Sequence, residues 1–281
     1  MGLQRPIGEP MKPIVGGKSI IGSTGDAFRG MQFATDATRI AREAGRAILS
    51  RMTNGRQVLA DMPRDVKIEA DLFLDSFIRD RLALISDYLI LSEESIDKQT
   101  TVSTSAYQWI VDPLDGSLNF SRGIPTCCIS IGLWQGMAPI FGVIYDFHRD
   151  EMFFGAQAST ATLNGVSIHT GNTRYKHDAI MCTGFPTATD FSEHSLRGFV
   201  KGLQTFKKVR LMGSAALSLA YVACGRADAY YEKDIAIWDV AGGLAIVQAA
   251  GGHIFIEPSD KKNRLTVRAA ADRRLFLDDD A

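Results

Sequence analysis

The stretch Trp109-Ile110-Val111-Asp112-Pro113-Leu114-Asp115-Gly116-Ser117-Leu118-Asn119-Phe120 decides how this chain reads. Trp109 to Val111 is the apolar end of a strand that delivers Asp112 to its terminus. Pro113 fixes φ at the next position and Leu114 keeps a free carbonyl. Asp112, that carbonyl and Asp115 can then point into one pocket as hard oxygen ligands. Such a set suits Mg²⁺, which takes carboxylates and completes its shell with water and phosphate oxygens. Gly116 and Ser117 stand where a helix would start, and their backbone N–H groups would cradle a phosphate there. The segment predicts metal-assisted phosphate chemistry.

Two more acids occupy comparable places. Glu93 follows the apolar run Tyr88–Leu91, and Asp239 opens an apolar helix in Trp238-Asp239-Val240-Ala241-Gly242-Gly243. Taken singly, an acid at a helix start is a dipole-stabilising cap, and Ser117 alone is an ordinary N-cap. Several such acids converging on one place would repel each other unless cations neutralise them. Two divalent ions about 3.5–4 Å apart would do so, one activating a water and the other stabilising a leaving oxygen. The histidines (His148, His169, His177, His194, His253) show no metal-binding spacing. No HExxH, GxSxG, Walker A or GxGxxG pattern occurs, which argues against zinc protease, serine hydrolase, P-loop and Rossmann readings.

The 281 residues suit one large or two closely packed domains. With 46% apolar and 22% charged residues, a sizeable core is available. The net charge of −1 gives no basic footprint for nucleic acid. One basic stretch, Lys261 to Arg274, reads as a solvated surface strand and turn. Cys127, Cys128, Cys182 and Cys224 form no CxxC and read as buried reduced thiols. The absence of a secretory signal or of an apolar run near 20 residues makes the cytoplasm the expected location.

Residues 1–23, rich in Gly and Pro, read as a flexible extension. From about Asp26 a helix is expected, with Phe33, Ala37, Ile40, Ala41, Ala44 and Ile48 on one face. A loop over 51–63 and a helix over 71–85 follow, the latter with Leu74, Phe77, Ile78 and Leu82 inward. Strands are expected at 88–91, up to Asp112, at 127–134 and at 139–145. An edge strand is expected at 151–154, and Asn164-Gly165 marks a hairpin turn. Helices at 192–206, 214–224 and 239–250 are interleaved with strands near 208–211, 228–231 and 253–256. The pattern is α/β, in stacked α and β layers with mixed sheets.

On these residues the chain resembles the inositol monophosphatase family of magnesium-dependent, lithium-sensitive phosphatases. Trp109 to Arg122 matches the family's first signature, Trp238 to Gly252 its second, and Glu93-Glu94-Ser95 lies at the family's upstream spacing. The resemblance spans roughly residues 30–256. It implies alternating layers of the sugar-phosphatase type, with a phosphatase domain over 24–281. An N-terminal α+β part (about 24–175) and a C-terminal α/β part (about 176–281) would enclose the active site.

The resemblance also implies roles. Glu93, Asp112 and the Leu114 carbonyl would ligate one metal, and Asp112, Asp115 and Asp239 a second, with two or three Mg²⁺ per site. Asp71 and Ser117 match the acid and hydroxyl that activate water; relatives often carry Thr at the latter. Gly116 and Ser117 would bind phosphate. Gly213, Ser214 and Ala215 would contact substrate, and Glu232, seven residues before Asp239, would accept hydrogen bonds from ring hydroxyls. Ile68 stands where relatives often have a hydroxyl residue, and Lys67 is the nearest counterpart of a basic residue in the loop after their first helix.

The favoured substrate is myo-inositol 1-phosphate. The same chemistry on adenosine 3′,5′-bisphosphate, fructose 1,6-bisphosphate or histidinol phosphate is the alternative. A homodimer is implied, with no membrane partner. A reading of another class is a regulatory or RNA-machinery-associated protein built on this fold.

Overall fold

The computed structural model describes residues 24–51, 58–62, 65–94, 103, 105–157, 159–186 and 189–276. The extension expected over 1–23 and the Asn54-Gly55 turn lie outside the described residues. The chain opens with α1 (Thr24–Ser50), a hairpin of β1 (Val58–Met62) and β2 (Asp65–Ile68), and α2 (Glu69–Ile85). Next come β3 (Leu89–Ser92), β4 (Tyr107–Asp115), the short α3 (Ser117–Ser121), β5 (Cys128–Gln135), β6 (Ala138–Asp146), β7 (Glu151–Ala156), β8 (Thr162–Leu163) and β9 (Val166–Ser167). The remainder is β10 (Ile180–Thr183), α4 (Glu193–Leu203), β11 (Lys208–Leu211), α5 (Ala215–Ala223), β12 (Ala229–Ala236), α6 (Ile237–Ala249), β13 (His253–Pro258) and β14 (Arg264–Ala270).

Both larger sheets are mixed. The first runs β3-β4-β5-β6-β7-β8-β9, with β3 and β4 parallel and the other pairs antiparallel. The second runs β11-β10-β12-β14-β13, with β10 parallel to both neighbours. Period-2 alternation sorts the first sheet's side chains between two cores. Trp109, Val111, Ile129, Ile131, Val143 and Tyr145 pack with α1 and α2, while Ile110, Cys128 and Ile144 pack with α5, α6 and the second sheet. Burying each large aliphatic side chain in this way contributes roughly 1.5–3 kcal/mol. The layers are therefore α1/α2, first sheet, α5/α6, second sheet, with α4 over the outer face of the latter.

The face expected on α1 is the buried one, from Phe33 through Ile48. On α2, Leu74, Ile78 and Leu82 are buried, but Phe77 is only half-buried and lies under the Arg81 guanidinium, 3.4 Å from its ring centre. Three readings are corrected. The 151–154 strand is interior, because the short β8–β9 hairpin adds beyond it. The basic stretch 261–274 holds β14, an interior strand whose Leu265, Val267 and Ala269 are buried. Within the expected 51–63 loop, residues 58–62 are a strand of the first hairpin. The contact of α6 with the first sheet is unusually close. A Cβ at Gly142 on β6 would stand 1.9 Å from the Gly242 carbonyl oxygen of α6, so only glycine permits the approach.

Candidate active site

Four elements end at one place. β3 pairs in parallel with β4, Ser92 opposite Val111, and the Glu93 N–H continues the ladder to the Val111 carbonyl at 3.2 Å. Glu93 is thereby set beside Asp112. On β4, Asp112 and Asp115 are three residues apart and would face opposite sides of a regular strand. A β-bulge removes that conflict. Asp112 pairs with Ser130 and Asp115 with Cys128, so three steps on β4 match two on β5 and both carboxylates share a face. Pro113 sits within the bulge, where its missing N–H breaks no ladder bond, and the Leu114 N–H turns back to Asp112 Oδ1 at 3.0 Å.

Asp239 lies in the first turn of α6, which starts two residues earlier than the sequence suggested. Carboxylate oxygens of Glu93, Asp112 and Asp239 lie within 4.8 Å of one another. Glu93 is exposed, Asp239 half-buried and Asp112 buried. Burial, then the charges of Glu93, Asp115 and Asp239, push Asp112 well above the usual carboxylate range. Asp239 is raised in the same way, by burial first and then by Glu93, Asp115 and Glu232, with Arg264 opposing. Such a group gains most from a cation. Its donors are all hard oxygens without imidazole or thiolate, which fits Mg²⁺ or a similar divalent ion.

Asp115 stands outside that threesome. Its Oδ2 accepts from Ser214 Oγ at 2.5 Å and from the Ala216 N–H at 2.7 Å, at the start of α5. Burial raises it to about 6, with these hydrogen bonds pulling the other way. Ser214 also caps α5, accepting from the Leu217 N–H at 3.3 Å. The Cys128 thiol lies 3.9 Å from both Asp115 Oδ2 and Ser214 Oγ.

Asp71 and Ser117 meet. Ser117 Oγ donates to Asp71 Oδ1 at 2.7 Å and also lies 2.9 Å from the Leu114 carbonyl oxygen. Asp71 is buried in the first turn of α2, and its Oδ2 accepts the Ile68 N–H at 2.7 Å. Ile68 has no oxygen with which to cap α2, so the third helical residue reaches back to the cap position instead. Gly116 holds φ +92°, and a Cβ there would stand 2.8 Å from the Thr126 carbonyl oxygen. Glycine is therefore required between Asp115 and Ser117.

Glu232, near the middle of β12, is buried beside Gly184. Burial pushes its carboxyl up to about 8, with the Asp115 charge adding to the effect. Lys67, the nearest counterpart of the relatives' basic loop residue, pairs with Glu94. The sequence reading missed Asn119. Its Nδ2 donates toward the carbonyls of Thr126 (2.8 Å), Met212 (2.9 Å) and Gly213 (3.2 Å), tying α3 to the turn before α5. Its place in the 109–122 signature was the only signal, since two of these partners lie more than 90 residues away.

Clustered carboxylates with a serine–aspartate pair, set between the layers of an α/β stack, define a phosphoric monoester hydrolase. The chain belongs to the inositol monophosphatase family, whose model matches residues 31–271. It is 40% identical over 193 residues to an inositol monophosphatase of Mesembryanthemum crystallinum, covering 65% of this chain and 71% of that one. It is 35% identical over 220 residues to the Nus factor SuhB of Xylella fastidiosa, covering 77% and 78%. The solved inositol monophosphatase of Anabaena superposes with a TM-score of 0.72 at 30% identity, over 86% of this chain and 91% of that one. Among the described residues no helix is long and apolar enough to cross a membrane.

Proposed function

We propose that this chain hydrolyses myo-inositol 1-phosphate to inositol and phosphate in the presence of Mg²⁺. The observation that carries the reading is the three-carboxylate group within 4.8 Å, next to the Ser117–Asp71 pair at 2.7 Å. Glu93, Asp112, the Leu114 carbonyl, Asp115 and Asp239 would hold the metal. Mg²⁺, when bound, supplies activation of a water and neutralises charge on the phosphoryl oxygens.

The chain's own groups do the rest. Ser117 Oγ takes a proton from the attacking water as its own proton passes to Asp71 Oδ1. The Ile68 N–H holds the other oxygen of Asp71, which keeps that carboxylate oriented as the base. The N–H groups of Gly116 and Ser117 face the phosphate and stabilise its developing charge. Glu232 accepts hydrogen bonds from vicinal hydroxyls of the polyol, and Gly213, Ser214 and Ala215 close the other side. Water adds to phosphorus and the inositol oxygen leaves, so no covalent phosphoenzyme forms.

Phosphate release from inositol phosphate, adenosine 3′,5′-bisphosphate, fructose 1,6-bisphosphate and histidinol phosphate, with and without Mg²⁺, tests the reading. Mg²⁺-dependent preference for inositol phosphate supports it. Preference for another ester keeps the mechanism and discards the substrate. The similarity to proteins named Nus factor SuhB favours a second reading, in which the chain serves RNA machinery. Folded protein that binds metal, turns over none of the four esters and co-purifies with RNA-machinery components would select it.

A further inference from the structure

A cavity of about 610 Å³ lies between α4 and the outer face of the second sheet. None of the metal carboxylates lines it, although it reaches Gly184 and Glu232 at one end. Met181, Ala229, Tyr231 and Arg268 share the cavity's main face, paired across β10, β12 and β14. Its size falls within the roughly 300–1,000 Å³ typical of small-molecule sites.

The walls are aromatic. Phe185 and Phe199 meet at a tilt, 5.1 Å between ring centres, on the α4 side, and Phe206, Tyr231 and Phe276 pack on the sheet side. α4 is amphipathic, yet none of its residues is buried, because Leu196, Phe199 and Leu203 face this space rather than the sheet. Gly198 and Gly202, one turn apart, also line it, and no atom comes within 4 Å of where a Cβ would stand at either. Glycine inside a helix costs roughly 0.5–1 kcal/mol relative to alanine. Here that cost keeps a rim open.

Three acids line the cavity, Glu232, Asp190 and Asp234, and hydrogen bonds engage the last two. Asp190 accepts from Ser192 and Ser195, and Asp234 accepts from Ser259 and Lys261. Arg268 is half-buried, its guanidinium 5.7 Å from the Tyr231 ring centre, and among the described residues it has no carboxylate partner. A guanidinium over an aromatic ring, in a cavity walled by further aromatics, matches a planar anion joined to a flat ring.

We propose that this cavity is a second ligand site, separate from the metal centre, that takes a small aromatic anion: its ring among Phe199, Phe206 and Tyr231, its acid group on Arg268. The probe is anilinonaphthalene sulfonate, with N-phenylnaphthylamine as the same ring system without the acid. Fluorescence titrations are run on the full chain with Mg²⁺ and saturating inorganic phosphate. The expected result is one saturable sulfonate site per chain. Gly198→Leu/Gly202→Leu, which favours the helix while filling the cavity, should weaken it at least about tenfold, with circular dichroism confirming the fold. Arg268→Met should weaken the sulfonate by about tenfold or more and leave the neutral probe unchanged. Asp115→Asn should leave both probes unchanged. The proposal is overturned by an absence of saturable binding, by wild-type binding in the glycine variant, by equal loss of both probes with Arg268→Met, or by loss with Asp115→Asn.

Discussion

Replacing Ser117 by alanine tests the proposed proton relay apart from metal binding. The hydroxyl lies 2.7 Å from Asp71 Oδ1 and 2.9 Å from the Leu114 carbonyl oxygen, and no carboxylate of the metal group is removed. A positioned proton acceptor contributes about 10²–10⁴-fold to such a step. Asp71 stays in place through the Ile68 N–H, so water could still lose its proton less efficiently. The expected fall in kcat is therefore toward the lower end, about 10²–10³, or roughly 2.7–4 kcal/mol at 1.36 kcal/mol per decade. KM and the Mg²⁺ concentration for half-maximal rate should change by less than about threefold, since the hydroxyl acts in the transition state. Stability should fall by about 1.5–3 kcal/mol, the worth of a hydrogen bond to a charged group. Ser117→Thr should restore activity. The assay is steady-state phosphate release across a Mg²⁺ series, paired with urea unfolding. A kcat within threefold of wild type in Ser117→Ala would refute the relay. A rate loss recovered by raising Mg²⁺ would move the hydroxyl's role to metal binding.

Four further perturbations follow from the geometry. Asp115→Asn keeps an oxygen that can accept from Ser214 and Ala216, so turnover should vanish while the melting temperature moves by only a few degrees; full activity would remove Asp115 from the metal set. Asn119→Ala strands carbonyls of Thr126, Met212 and Gly213 and should cost about 1–3 kcal/mol in urea unfolding; an unchanged midpoint would show that water replaces the amide. Gly142→Ala drives a methyl into the Gly242 carbonyl and should cost at least about 1–3 kcal/mol and lower activity by displacing Asp239; a wild-type melting curve would contradict the close approach. The Arg226–Glu151 pair (2.5 and 2.6 Å) holds Glu151 below its usual range. Its stabilisation is present above the unfolded value near pH 4.3 and is lost as pH falls through the lower folded value. Arg226→Met should therefore cost up to about 1 kcal/mol at pH 7, with the difference from wild type closing in acid; a gap that persists at pH 2 would assign the effect to packing over Tyr221 instead.

What was legible in the sequence, and what was not, divides along physical lines. The face of α1 and most of α2 could be read because helical period alone sorts their side chains. The carboxylates could be read because each follows an apolar run that must end at a strand or helix terminus. Parity on β4 could not be read. Asp112 and Asp115 share a face only through a bulge whose partner residues, Ser130 and Cys128, belong to another strand. The place of β14 was hidden because Lys261, Lys262, Arg264 and Arg268 make the segment look solvated, although alternate residues are buried. Two-residue strands such as β8 carry no periodicity, so β7 looked like an edge. Asp115 was legible as an acid but not as the acceptor for α5, a contact between residues 99 and 101 positions apart.

The site is a property of the layer contacts more than of any one segment. Asp71 comes from the outer helices, Glu93 and Asp112 from the first sheet, Asp239 from the middle helices, and Asp115 is gripped by the start of α5. Asp239 has little local support, since Ala236 precedes its helix without a side-chain cap. Its position rests on the Ile237 N–H, which bonds the Asn263 carbonyl at 3.0 Å, and on the glycine contact between α6 and β6. Burial and the neighbouring acids raise Asp112 and Asp239, and the elements that carry them stay together. Packing of the two cores therefore holds the carboxylates together before any cation arrives, and a bound divalent ion would strengthen the joint between the first sheet and α6. Metal affinity and the stability of that joint are then two readings of one free energy, linked by mass action.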